Sequence, residues 1–414
     1  MPSTTRRIGA TFLIPLFAAL ALLSVPAPAQ AAVPSDPDDA SRPVFYQPPA
    51  QLPASTGAVI RSEPTGFVLD PLNASGIVIT SQRIMYTSTD RTGKPIAVTG
   101  TVITPKAPWI GRGTRPLVSY TPGTQGLADR CAPSRLLSFG AEYEEIFVAG
   151  LVARGYAVAI TDYEGLGTPG VHSYMDRLSQ GHAALDIARA ARQLPGLGLS
   201  KSPVAIAGYS QGGGAAASAA ELAASYAPEL PIKGTLAGAV PADLRIVGKA
   251  LDGSLYAEFL LFAVDGLAAS YHVDLDGTLN AAGNKVAADV TRHCTFDLPS
   301  NAFRQLSTLT DSGEGFTGIA AKAPWNKIID DQLIGTLKPN APVRVTHSAL
   351  DDVVPYAAGK GLAKRWCTQG ANIVFSPNGF PTHVGGAVPS FVEEFAFLEA
   401  RFAGVPQISN CWSV

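Results

Sequence analysis

The chain carries little charge and concentrates none of it. Charged side chains are 15% of its 414 residues, and 31 Lys plus Arg nearly balance 33 Asp plus Glu, for a formal net charge of −2. The basic residues are scattered, so the electrostatic footprint of a nucleic-acid-binding protein is missing and no nucleic-acid partner is expected. Past the N-terminus no segment is long and apolar enough to span a bilayer, which predicts a mature chain without a transmembrane segment. The four cysteines, Cys131, Cys294, Cys367 and Cys411, contain no Cys-x-x-Cys pair, which argues against a thiolate metal site. No internal repeat is visible. What the chain does have is apolar material: 46% hydrophobic residues suffice for one large domain with insertions, or for two domains.

The N-terminus reads as a secretion signal. Arg6 and Arg7 precede the apolar run Ile8 to Val25, and Ala29-Gln30-Ala31 supplies a small-x-small cleavage site. Gly9, Pro15 and Pro26 interrupt the run, which argues against a membrane anchor. Residues 1–31 are therefore expected to be removed on export, and the protein to be extracellular. In that oxidising setting the four cysteines predict two structural disulfides, with three pairings open. Residues 32–60, rich in Pro, Ala, Ser and Asp, predict an extended arm.

From Ile77 the pattern becomes β-rich. The runs Ile77 to Ser88 and Ile96 to Thr104 flank the turn-like segment Asp90 to Pro95 and predict an antiparallel hairpin. After Pro105, short strands alternate with helices. The strands are expected at Leu117 to Tyr120, Ala157 to Thr161, Val204 to Ala207, Leu236 to Val240, Val343 to His347 and Asn372 to Phe375. The helices are expected at Tyr143 to Arg154, Gly181 to Gln193, Gln211 to Tyr226 and Phe391 to Phe402. This alternation predicts an α/β fold with a mainly parallel sheet covered by helices and edged by the hairpin. The hundred residues from Pro241 to Asn340 are too many for one βα connection, so residues 241–340 are expected to be an inserted helical cap, with 61–240 and 341–414 forming the core. Leu251 to Ala269 is its most apolar part.

Gly208-Tyr209-Ser210-Gln211-Gly212 matches G-x-S-x-G between a predicted strand and a predicted Ala-rich helix. A serine on such a turn is exposed at a helix N-terminus, and glycines two residues either side relieve collisions. It needs a base, and the base needs an orienting acid, in the chain order Ser, acid, His. His383 lies after the last predicted strand and is preferred to His347, which sits at a strand end and reads as buried. His172, His182, His272 and His293 read as surface or core histidines. For the acid, Asp351 and Asp352 follow the strand ending at His347, with Asp351 first off it and Asp243 as the alternative. The N–H of Gln211 is the expected first oxyanion donor. A second is expected from Tyr120-Thr121-Pro122-Gly123-Thr124-Gln125-Gly126, with Gln125 preferred and Thr124 close behind. Gly213 and Gly214, in the first turns of the helix, have no evident task beyond close packing.

Several longer stretches carry a resemblance. Asp162-Tyr163-Glu164-Gly165, Gly208-Tyr209-Ser210, Ser225 to Leu230, Val353-Val354-Pro355-Tyr356 and Gly370 to Pro377 resemble the secretory lipases of the Candida antarctica lipase A type, over about residue 60 to Cys411. The resemblance implies an α/β-hydrolase fold with a helical cap and a lid. It also implies cofactor-free hydrolysis of carboxylic esters, including acylglycerols; the serine, base and acid predict an acyl-enzyme, and the apolar Leu251 to Ala269 predicts acyl-chain binding and transient contact with a lipid interface. It assigns Ser210, Asp351 and His383 as the triad and pairs Cys131 with Cys294 and Cys367 with Cys411. Gln125 stands where the fungal member has an aspartate, so protonation behaviour tied to that acid does not transfer. The expected function is a secreted serine lipase or esterase. An acyltransferase or peptidase on the same triad is the enzymatic alternative, and a non-catalytic binding protein the other.

Overall fold

The computed structural model describes residues 42–67 and 78–414. The secretion-signal reading of residues 1–31, and the first part of the arm, lie outside them. The described part of the arm is packed down: Tyr46 is buried, with its hydroxyl 2.8 Å from Ser134 Oγ.

One nine-stranded sheet carries the chain: β1 (Val59–Pro64), β2 (Ile79–Thr89), β3 (Pro95–Pro105), β4 (Leu117–Thr121), β5 (Ala157–Thr161), β6 (Val204–Tyr209), β7 (Ile232–Gly238), β8 (Val343–Leu350) and β9 (Ile373–Pro381), in the order β1-β2-β3-β5-β4-β6-β7-β8-β9. The β1-β2, β2-β3 and β3-β5 pairs are antiparallel and all the others parallel. The predicted hairpin is present, with β1 added outside it as the edge. β1 escaped the sequence reading because Ile-Arg-Ser-Glu-Pro has too few apolar residues to announce a strand. β7 begins four residues before its predicted start and ends two before its predicted end.

Every residue of β4, β5 and β6 is buried. Helices cover both faces of the sheet, and alternate side chains sort between them. Val204 and Ile206 join the core beneath α2 (Arg177–Gln193), α3 (Gln211–Tyr226) and α8 (Tyr356–Thr368). Ala205, Ala207 and Tyr209 join the opposite core with α1 (Glu145–Ala153) and α9 (His383–Phe402). α9 starts eight residues earlier than predicted, so His383 is its first residue rather than part of the preceding loop.

Between β7 and β8 lie α4 (Leu244–Leu251), α5 (Ala257–Tyr271), α6 (Ala281–Val290) and α7 (Trp325–Asp331), with shorter turns. Asp243 caps α4 by accepting the N–H of Arg245, and Asn280 caps α6 through Gly283. These helices bury Leu251, Phe262, Leu267 and Trp325 together with Tyr174, Val353 and Val354 from the loops above the sheet. Cys131–Cys294 joins this stretch to the loop after β4, and Cys367–Cys411 joins α8 to the C-terminus, with Cα separations of 5.6 and 5.4 Å. Among the described residues no helix is long and apolar enough to cross a membrane.

The extra glycines of α3 now separate. A Cβ on Gly213 would lie 2.0 Å from the Gly238 carbonyl oxygen, whereas one on Gly214 meets only the Pro241 ring, at 3.3 Å. Gly213→Ala is therefore expected to destabilise by about 2 to 3 kcal/mol through overpacking. Gly214→Ala should lie within about 1 kcal/mol of wild type, because helix propensity offsets the tight contact. Urea unfolding of both variants checks the contrast; equal costs would contradict it.

Candidate active site

β6 feeds straight into α3 through Ser210, whose φ of 59° and ψ of −123° are sparsely populated for a residue with a side chain. The neighbouring strand enforces the turn. A Cβ on Gly212 would lie 1.9 Å from the Thr121 carbonyl oxygen, and one on Gly208 2.2 Å from Thr121 Oγ1. Thr121 Oγ1 shares its proton between the carbonyls of Ala207 and Gly212, at 2.9 and 2.8 Å, and Ser210 N–H donates to Gly238 at 3.0 Å. Ser210 is partly exposed. No side chain caps α3, so its first N–H groups, that of Gln211 foremost, are left free beside Ser210.

At the ends of β8 and β9 the chain brings Asp351 to His383. Asp351 Oδ2 accepts from His383 Nδ1 at 2.8 Å, and Oδ1 accepts the N–H groups of Val353 and Val354 at 2.9 and 2.8 Å. Burial alone would raise this carboxyl, but the His383 hydrogen bond and charge and the two backbone donors outweigh it and hold Asp351 below the usual range. Because Nδ1–H is spent on Asp351, His383 Nε2 is an acceptor. Tyr209, beside Ser210, fixes the histidine from below: its hydroxyl donates to the His383 carbonyl at 2.7 Å and the rings lie 5.0 Å apart.

The other sequence candidates occupy different places. Asp352 accepts the His383 backbone N–H at 2.8 Å and the Tyr256 hydroxyl at 3.0 Å, tying the start of α9 to the α4–α7 stretch. His347 is buried behind Asp351, 3.7 Å from Oδ2, with Nε2 on the Val354 carbonyl. Asp243 is engaged as the α4 cap.

The loop after β4 lies against the turn. Its Gln125 amide nitrogen is tied to the Gly123 carbonyl and to Glu142 at 3.2 and 2.9 Å, and Thr124 Oγ1 is 2.7 Å from the Tyr174 hydroxyl. The backbone N–H groups of Thr124 and Gln125 have no acceptor among the described residues. An apolar crevice opens from Ser210 and Gln211. From the segment singled out as most apolar, Leu251, Phe259, Leu260, Ala263, Val264 and Leu267 line it.

One residue of the site had no sequence signal. His172, read as a surface or core histidine, reaches Gln211 across 39 positions: its Nε2 lies 3.0 Å from Gln211 Nε2, and its Nδ1 2.8 Å from the Glu164 carbonyl. A carbonyl only accepts, so Nδ1 carries the proton and Nε2 accepts from Gln211. The ring thus fixes the side chain of the residue that follows Ser210. Burial is the main reason its pKa falls from 6.5 to about 4. A histidine buried neutral contributes stability above its unfolded pKa that is lost as pH falls towards the folded one. His172 alone should therefore cost about 3 kcal/mol between pH 6.5 and 4. Urea unfolding at pH 7 and pH 4 should show a smaller drop for His172→Gln than for wild type; equal drops would exclude this group as the source.

The profile of the secretory lipase family matches residues 131–410. A protein named a probable inactive lipase, from Mycobacterium tuberculosis, is 29% identical over 87% of this chain and 82% of its own. A secreted triacylglycerol lipase of Malassezia restricta is 28% identical over 90% of this chain and 82% of its own. Among solved structures, Candida antarctica lipase A in its closed state superposes with a TM-score of 0.77 at 26% identity, covering 88% of this chain and 87% of that one. The chain belongs to the secretory lipase family, a family of ester hydrolases with the α/β-hydrolase fold.

Proposed function

We propose that the protein is a secreted lipase or carboxylesterase in which Ser210, His383 and Asp351 act as a triad on acyl esters. The observations that support this reading are the Asp351–His383 hydrogen bond, the Tyr209 hydroxyl that holds His383, and next to Tyr209 a strained serine that lines an apolar crevice. Ser210 Oγ attacks the ester carbonyl carbon as His383 Nε2 takes its proton, and Asp351 stabilises the imidazolium. The carbonyl oxygen becomes an oxyanion held by Gln211 N–H and by an N–H of Thr124 or Gln125. His383 then protonates the departing alcohol, leaving Ser210 acylated. A water deprotonated by His383 releases the acid and restores the serine.

The crevice supports a hydrocarbon acyl chain, because its walls from Val247 to Trp325 offer no charged partner to a peptide. Outside it, Val384, Val388 and Val392 stand exposed at i, i+4 and i+8 on α9, directly after His383. That stripe supports transient contact with a lipid surface at the site entrance. The two disulfides fit an extracellular setting. A non-catalytic reading has one observation in its favour, the relative named as probably inactive. Labelling of Ser210 by a serine-directed phosphonate separates the two.

Ser210→Ala is expected to lower kcat on p-nitrophenyl esters by about 10⁴-fold or more, and Asp351→Asn by about 10⁴-fold. Activity unchanged in Ser210→Ala would end the assignment. Replacing Val388 and Val392 by Asp should depress hydrolysis of emulsified long-chain glycerides while leaving that of soluble short-chain esters near wild type. Equal loss on both substrates would argue against the α9 stripe as the lipid contact.

A further inference from the structure

The loop proposed to supply the second oxyanion donor is held from behind by acids. Gly123 N–H donates to Glu144 Oε2 at 2.8 Å, and the Gln125 amide donates to Glu142 Oε1 at 2.9 Å. Both glutamates sit in the turn leading into α1 and are buried, as is Glu394 from α9, about three turns beyond His383. Neither Glu394 oxygen, nor Glu142 Oε2, has a hydrogen-bond partner among the described residues. Polar oxygens stripped of water without a partner cost free energy, so the arrangement needs a reason.

Resting on the ester-hydrolase reading, we propose that Glu142, Glu144 and Glu394 form a buried carboxyl cluster that positions the Gly123 to Gln125 loop for catalysis and must hold protons to do so. The anchoring half follows from the hydrogen bonds. With Gly123 N–H spent on Glu144 and the Gln125 side chain on Glu142, the loop has the N–H groups of Thr124 and Gln125 left over for a ligand.

The protonation half follows from what surrounds the cluster. The titratable groups facing it are Tyr120 on β4, Tyr143 and Glu145 around the start of α1, Tyr163 after β5 and Tyr209 at the end of β6. None of these is a cation. Three carboxylates out of water, with no ion-pair partner among the described residues, repel one another strongly. Burial, opposed by the Gly123 hydrogen bond, lifts Glu144 to about 8; burial and then the Glu144 charge lift Glu394 to about 8; Glu142 is raised in the same way. A neutral carboxyl still accepts an N–H. Ionised, the same groups place negative charge behind the donors that must stabilise a developing oxyanion. Hydrolysis should therefore fail on the alkaline side.

The test is the pH profile of soluble p-nitrophenyl ester hydrolysis, read by pH-stat for wild type, Glu144→Ala, Glu144→Gln and the Glu144→Gln/Glu394→Gln pair. Wild-type kcat should fall about tenfold from pH 7 to pH 9.5 while KM changes less than about twofold, corresponding to one modest electrostatic penalty in the transition state. The double glutamine variant, an uncharged mimic of the protonated cluster, should lose that limb. Glu144→Ala should lower kcat at every pH, and Glu144→Gln should restore part of it. The infrared C=O band of protonated carboxylic acid, read without substrate, should be present in the wild type at pH 7, weaken in the double variant and titrate with the rate. An alkaline limb unchanged in the double variant, or no protonated carboxyl at pH 7, overturns the inference while the hydrolase reading stands. No hydrolysis by the wild type at any pH overturns that reading and the inference with it.

Discussion

Backbone packed against backbone at one turn is the constraint on which this molecule depends. The carbonyl of Thr121 at the end of β4 occupies the space a side chain on Gly212 would need, and the carbonyl of Gly238 at the end of β7 does the same for Gly213. Three parallel strands and the first turn of α3 can converge only because those positions have no Cβ. The convergence forces Ser210 into its positive φ, exposes its hydroxyl and leaves the N–H groups of α3 unpaired beside it. A strained residue persists only where its surroundings over-determine it. Here the all-buried strands β4 and β6 and the Ser210 N–H to Gly238 hydrogen bond do so.

Around that turn the chain keeps two kinds of buried carboxyl apart. Asp351 has three hydrogen bonds to its oxygens and a histidine beside it, so its charged form is favoured despite burial. Glu144 and Glu394, with fewer donors and no ion-pair partner among the described residues, are pushed up to about 8 by the same burial. Environment rather than residue type sets the two behaviours apart, as in other paired-carboxylate sites. Tyr209 stands between them, under Ser210, holding the His383 carbonyl and facing both Asp351 and Glu144.

Much of this was legible in the sequence, for physical reasons that can be named. Strands buried on both faces must be apolar throughout, so Leu117 to Tyr120, Ala157 to Thr161 and Val204 to Ala207 announced themselves, and α3 was delimited correctly from Gln211 to Tyr226. Asp351 and His383 lie at strand ends, where side chains converge over the sheet, so chain order and position made them candidates, and the family resemblance preferred Asp351 to Asp352. Most of the misses are long-range, the start of α9 being a local one. β1 draws its pairing from β2 rather than from its own composition, and α9 starts early because Thr382 caps it through Gly385 N–H. His172 meets Gln211 only through the folded chain. Glu142 and Glu144 look like the solvated start of a helix, and only the approach of α9 and the loop after β4 takes them out of water.

The central claim is that the elbow holds Ser210 as the nucleophile, and the most direct measurement is the mass of the enzyme itself during turnover. Protein quenched in acid while hydrolysing an activated ester should carry one acyl group on the peptide containing Ser210, appearing with the burst of alcohol and absent from Ser210→Ala. An acyl group on another residue, or turnover with no acylated Ser210 peptide when deacylation is slowed by a hindered acyl group, would contradict the account.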